Sequence, residues 1–173
     1  HRSEMGQGIR TSLPQVVADE LDADWDKIDI LQAQGDEKYG DQNTDGSNSV
    51  RNFFQPMRVM GASAKLMLRQ AAAATWQVPL ESCIAKDHRV THSPSGKSLS
   101  YGELAQAAAK LPLPDAKQLS FKNPQEFKYI GKPMAMADFA DIVRGTTSFG
   151  IDTKIPDMVY ASIERSPILG GKV

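Results

Sequence analysis

The apolar positions of this chain fall into a few periodic runs separated by polar, glycine-rich stretches. Ile9, Leu13, Val16, Val17 and Leu21 recur at helical spacing, which predicts a helix over about residues 10–22, with Pro14 tolerated in its first turn. The acidic Asp22-Ala-Asp-Trp-Asp26 ends it, and Lys27 to Gln34 alternates through Ile28 and Ile30 as a strand would. Residues 35–48 are polar and read as a long loop. The strongest run follows. Phe53, Phe54, Met57, Met60, Ala64, Met67, Leu68 and Ala71 mark a buried helix over 50–76, with Pro56 near its start. The small residues Gly61 to Ala64 would let another backbone come close, and methionines in such a stripe read as core filler.

Beyond Val78-Pro79, residues 81–92 predict two short strands with Ile84 and Val90 facing inward, then a turn at Ser93-Pro-Ser-Gly96. Ser100-Tyr-Gly-Glu103 is a capping-box pattern that opens an alanine-rich helix through 104–111. Residues 112–144 read as a proline-punctuated linker with a short helical turn at 137–143. Past Gly145, residues 146–152 and 158–164 read as two strands around Pro156-Asp157. Two strands alone are marginal. Residues 145–173 are therefore expected to begin a second domain, and the chain to be one piece of a longer polypeptide. The expected class is α+β: helices packed on a small mixed sheet over 1–111, then the start of another α/β domain.

Composition narrows the chemistry. With 173 residues and a net charge of −1, nothing draws the chain as a whole to nucleic acid or an anionic membrane, and no apolar run is long enough for a membrane span. Cys83 is the only cysteine, which excludes an intrachain disulfide and a cysteine-ligated iron–sulfur cluster held by this chain alone. His88 and His92 share a strand face but have no carboxylate or thiol beside them in a metal-binding pattern. They read as surface histidines on a hairpin, and no metal ligand is assigned.

Two loops could carry chemistry. Met5-Gly-Gln-Gly8 precedes a helix: Gly6 and Gly8 allow backbone conformations or approaches that a β-carbon obstructs, and Gln7 offers both a donor and an acceptor. Thr44-Asp-Gly-Ser-Asn-Ser49 gathers hydroxyls and a glycine at the next helix entrance. Each loop alone reads more readily as an ordinary turn or N-cap. Side by side, the two helix N-termini would face one anionic ligand.

Glu4-Met-Gly-Gln-Gly-Ile-Arg-Thr-Ser-Leu-Pro-Gln-Val-Val-Ala-Asp-Glu-Leu21 resembles the glycine–glutamine–glycine segment of the molybdenum hydroxylase large subunit, the xanthine dehydrogenase/aldehyde oxidase family. Thr44 to Val50 is similar to that family's Thr-small-small-Ser-x-Ser segment, and Phe149-Gly-Ile-Asp152, Pro156 to Ala161 and Arg165-Ser-Pro167 to the opening of its hammerhead domain. A cofactor segment ahead of the hammerhead is similar to the isoquinoline 1-oxidoreductase branch. The resemblance implies that the parent protein hydroxylates an aldehyde or N-heterocycle with oxygen from water. It also implies a molybdopterin-type cofactor in its cytosine dinucleotide form, contacted by Met5, Gly6, Gln7, Gly8, Gly46, Ser47 and Ser49. The implied partners are the remaining domains of the large subunit, a separate iron–sulfur subunit and the aldehyde or heterocycle substrate. The family's catalytic glutamate, in a Gly-x-Gly-Glu setting, has no counterpart in these residues, so no catalytic residue is assigned. The isolated segment is expected to be inactive and to hold no cofactor tightly. Localisation stays open between the cytoplasm and periplasm of a bacterium. The competing reading is a non-catalytic binding or interaction module whose loops are ordinary helix caps.

Overall fold

The computed structural model describes residues 1–171, in two compact units that divide after Phe139. In the first, helix α1 (Ile9–Leu21) packs along α2 (Asn48–Trp76). Met57 lies with Ile9, Leu13 and Val16, while further along Arg58 meets Glu20 and Lys65 meets Asp22. The two helices thus run in the same direction, and both N-termini open at one end. The connection between them, over 22–47, returns the chain to that end. The helices approach closely at Gly61: a β-carbon there would lie 2.7 Å from the Val17 carbonyl and 2.8 Å from Cβ of Glu20. The narrow step expected at Gly61 is therefore used for that purpose.

The sheet is three-stranded and antiparallel, not mixed: β1 (Cys83–Lys86), β2 (Arg89–His92) and β3 (Ser98–Ser100), in that order. Asp87 and His88 join β1 to β2 with φ of 46° and 66°, a turn whose twist suits a tight hairpin. Ala85 pairs opposite Val90, so the inward face of β1 carries Cys83 and Ala85, and Ile84 points outward at 54 % exposure. That corrects the inward orientation expected of Ile84. Helix α3 (Tyr101–Ala108) starts at Ser100 with the capping box in place. Leu68, Ala71 and Ala72 of α2 meet Cys83, Val90, Tyr101 and Leu104 in the main core.

Other expectations are revised by packing. Pro14 and Pro56 lie inside their helices and not in the first turn; each leaves one carbonyl of the preceding turn without its N–H donor. Met60 is 56 % exposed, so the methionine stripe is only partly core. Residues 28–34 form no strand: after a 3-10 turn at Trp25–Lys27 they join no ladder, and the Ile30 carbonyl accepts from the Arg10 guanidinium at 3.0 Å. His88 is half-buried, against the Tyr101 ring, with its Nδ1 accepting from the Asp24 N–H. Burial, with help from the Lys27 charge, holds its imidazole below the usual histidine range against the opposing pull of Asp24.

The stretch expected as a linker is clamped to the unit over much of its length. Asp19, fully buried, accepts N–H bonds from Lys128, Tyr129 and Ile130 at 3.0, 2.9 and 2.8 Å, and lies 3.2 Å from the Lys122 ammonium. Lys122 also reaches Asp22 at 2.6 Å, and the Tyr129 hydroxyl donates to the Ala23 carbonyl. Burial pushes the Asp19 carboxyl up, but these N–H groups and the ammonium together hold it below the usual carboxylate range.

The second unit is different in kind. Helix α4 (Phe139–Arg144) leads into it, and Gly150–Asp152 forms one 3-10 turn. Among the described residues from 140 onward there is no strand, which corrects the two strands expected at 146–152 and 158–164. Ile151, Val159, Tyr160 and Ile163 are all more than 80 % exposed. Strand formers need a ladder partner for their backbone groups, and the hydrogen bonds within this unit are local turns.

Candidate cofactor site

The N-terminal loop is built by its own polar groups. Gly6 and Gly8 have φ of +97° and +84°, a backbone conformation that glycine adopts without strain. No neighbour would touch a β-carbon at either position, so their requirement is conformational, not steric. Glu4 reaches over them: its carboxylate accepts from the N–H groups of Gly6, Gly8 and Arg10 at 2.7, 3.0 and 2.9 Å. Burial pushes Glu4 up, and these bonds bring it below the usual range. The positive end of α1 is therefore satisfied by an internal carboxylate, which corrects the expectation that it faces an anionic ligand. Gln7 also turns inward, accepting from the Met5 N–H at 2.6 Å and donating to the Ser3 carbonyl at 3.0 Å.

The second loop is left more open. Gly46 and Ser47 have φ of 50° and 56°, and Ser47, at the N-cap of α2, makes no side-chain capping bond. Ser49 is buried, and its Oγ accepts from Arg2 Nε at 2.9 Å. Thr44 Oγ1 accepts from the Ser3 N–H at 3.0 Å. A hydroxyl oxygen that accepts still has its own O–H to donate.

Because α1 and α2 run in the same direction, the two loops meet. Met5, Gln7, Ile9 and Ser12 from one side and Thr44, Asp45, Gly46, Ser47, Ser49 and Val50 from the other line a cavity of about 390 Å³. Five of the seven residues singled out from sequence are thereby brought together: Met5, Gln7, Gly46, Ser47 and Ser49. Gly6 and Gly8 shape the loop without lining the cavity. Sequence reasoning placed Thr44 in the second loop without counting it among the contacts, and missed Arg2 and Glu4 as parts of the site. Glu4 was visible as a carboxylate just ahead of a helix start, whereas the partners of Arg2 lie 39 and 47 residues away and leave no local signal. A second cavity, of about 330 Å³ under residues 28–32, is lined largely by Leu13, Val17, Leu21, Ile28 and Ile30 and includes none of the seven. Among the described residues no cluster of three or more His, Cys, Asp or Glu could hold a metal ion.

The profile of the molybdopterin cofactor-binding domain matches residues 2–144, spanning both loops and the clamped strap. The chain belongs to that family. The chain is 31% identical to the beta subunit of isoquinoline 1-oxidoreductase from Brevundimonas diminuta, over 96% of its own length and 26% of the relative. It is 30% identical to the membrane-bound aldehyde dehydrogenase [pyrroloquinoline-quinone] of Gluconacetobacter polyoxogenes, over 99% of this chain and 23% of that protein. It is 28% identical to a nicotinate dehydrogenase subunit of Pseudomonas putida, over 96% of this chain and 14% of that protein. The chain thus spans about a quarter or less of the length of these relatives. No helix among the described residues is long and apolar enough to cross a membrane.

Proposed function

We propose that the polypeptide carrying this domain is the molybdopterin-binding subunit of an oxidoreductase that hydroxylates aldehydes or N-heterocycles with oxygen from water, and that the cavity between the two loops holds part of the pterin. The convergence of both motif loops on one cavity carries this reading. The fit is to an uncharged heterocycle: Met5, Ile9 and Val50 offer apolar faces, Thr44, Ser47 and Ser49 offer hydroxyls, and the one charged lining residue is Asp45. Without a lysine or arginine in the lining, the cavity suits the polar edges of a ring better than a phosphate. Gln7 and the glycines act by holding the loop's shape, and Gly46 leaves its backbone approachable. When bound, the cofactor supplies the redox chemistry, while these residues bind and orient it.

The resemblance to the isoquinoline 1-oxidoreductase branch supports the cytosine dinucleotide form. A separate iron–sulfur subunit is supported by two relatives whose names mark them as subunits of larger enzymes. Residues 145–173 are proposed to open a hammerhead-like domain completed by further chain. The rival reading, ordinary helix caps, fits the first loop, where Glu4 does the capping. The second loop favours the cofactor reading, because Ser47 there sits in a left-handed conformation and makes no side-chain capping bond. The test is purification of the full-length polypeptide with its partner subunits from molybdenum-supplied cells. Near-stoichiometric molybdenum, CMP released on acid hydrolysis, and turnover of an aldehyde or N-heterocycle are expected. A folded preparation without molybdenum or pterin overturns the reading.

A further inference from the structure

The residue that ties the two loops together belongs to neither motif. Arg2 is 3% exposed, although the carboxylate it pairs with lies largely in solvent. Its Nε donates to Ser49 Oγ at 2.9 Å, and its Nη1 donates to the Asp41 carbonyl at 2.8 Å and lies 3.1 Å from the Asp41 carboxylate. The guanidinium also lies over the Phe53 ring, 4.9 Å from its centre. One residue on, the Ser3 N–H reaches Thr44. Residues 2 and 3 thus lace the stem of the first loop to both ends of the second, at Thr44 and Ser49, and to Asp41 just ahead of it.

We propose that Arg2 is a positioning residue for the cofactor cavity: it fixes the separation of the two loops and commits the Ser49 hydroxyl to donating into the cavity. Burying a guanidinium is costly, and an apolar side chain would fill the same space more cheaply, so its use here is directional. Its planar fork fixes angle as well as distance between Ser49 and Asp41, which a lysine ammonium, a single point charge, cannot do. Arg2 only donates, so the Ser49 oxygen must accept, and the hydroxyl hydrogen is left for whatever lies in the cavity that Ser49 lines. Ser49 is the group that meets the ligand; Arg2 acts through it.

The inference rests on the cofactor reading above, and its test separates the two. Full-length protein with its partner subunits is prepared as wild type, Arg2→Lys, Ser49→Ala and the double variant. Three properties are measured: molybdenum per polypeptide, the visible circular dichroism of the bound cofactor, and the rate at which cofactor is lost after dilution. Arg2→Lys is expected to melt within a few degrees of wild type yet lose cofactor about tenfold faster, comparable to removing a supporting partner behind a metal ligand. Its dichroism bands should shift, and adding Ser49→Ala to Arg2→Lys should change little further. Wild-type occupancy, spectrum and loss rate in a folded Arg2→Lys, or fully additive effects in the double variant, overturn the role of Arg2 alone. Wild-type protein without cofactor overturns the cavity assignment as well. If Arg2→Lys does not fold, Ser49→Ala removes only the hydroxyl end of the same contact. Unchanged cofactor retention there overturns the proposal.

Discussion

The two ends of the α1–α2 pair use polar side chains in opposite ways. At the C-terminal end of α1, the carboxylates of Asp19, Glu20 and Asp22 are taken up by Lys122, Arg58, Lys65 and the backbone of residues 122–130. At the N-terminal end, Ser47 is left without a capping bond, and the hydroxyls of Thr44 and Ser49 accept from within the protein while lining a cavity. A closed polar network holds a fold together, and an open one is available to a ligand. The difference is one of partners, since aspartate stands at both ends, as Asp19 and Asp22 at one and Asp45 at the other.

Substitutions at the two ends should therefore differ in kind. Asp19→Ala leaves three N–H groups and the Lys122 ammonium without their buried acceptor. It should destabilise the domain by about 3–5 kcal/mol, read as a lowered denaturation midpoint. A loss under about 1 kcal/mol would mean that the strap is not anchored there. Gly61→Val, at a close approach of the two helices, should cost about 1–3 kcal/mol through overpacking against the Val17 carbonyl. Gly61→Ala tests the same contact against the better helix propensity of alanine. Ser100→Ala should cost about 1 kcal/mol, because that serine completes a capping box. Ser47→Ala should change the melting temperature by less than the scatter, yet weaken cofactor retention. An equal stability loss for the two serines would return the second loop to the status of an ordinary cap.

Acid sharpens the comparison further. Asp19 and Glu4 are held below their ordinary values in the folded protein, so the stability they add is full above the unfolded carboxylate range, about 4. It is lost as pH falls through their folded values. His88, also lowered when folded, takes up its proton more readily in the unfolded chain, so it contributes a shallower loss beginning below about 6.5. In a pH series of denaturation midpoints, Asp19→Asn should flatten the steep acid limb, and His88→Gln should remove only the shallow one.

Much of the first unit was legible because its helices are periodic and long enough to average out exceptions. Ile9, Leu13, Val16, Met57, Leu68 and Ala71 are buried as their spacing implies, and the Ser100 capping box formed as written. The strap over 119–130 was not legible. Its anchors, Asp19 foremost with Glu20 and Asp22, lie about a hundred residues earlier in the chain, and backbone N–H donors carry no sequence signature. Ile84 was misplaced because a short apolar run does not reveal its own register; the hairpin at Asp87-His88 sets it. At the site, the motifs located the residues of the cavity, while the inward turn of Gln7 and the capping by Glu4 depend on side-chain choices that the motifs do not encode. The described residues beyond 145 include strand formers but no strand. In limited proteolysis of this chain, the first cuts should fall there, well before any within α2.

Hydrogen exchange on the full-length protein, loaded with cofactor and stripped of it, compares the two ends of the helix pair most directly. Cofactor should slow exchange at amides 5–9 and 44–50 and leave 122–130 unchanged. Protection that appears at the strap, or that changes at neither loop, would contradict the assignment of the cavity between the loops as the place where the pterin is held.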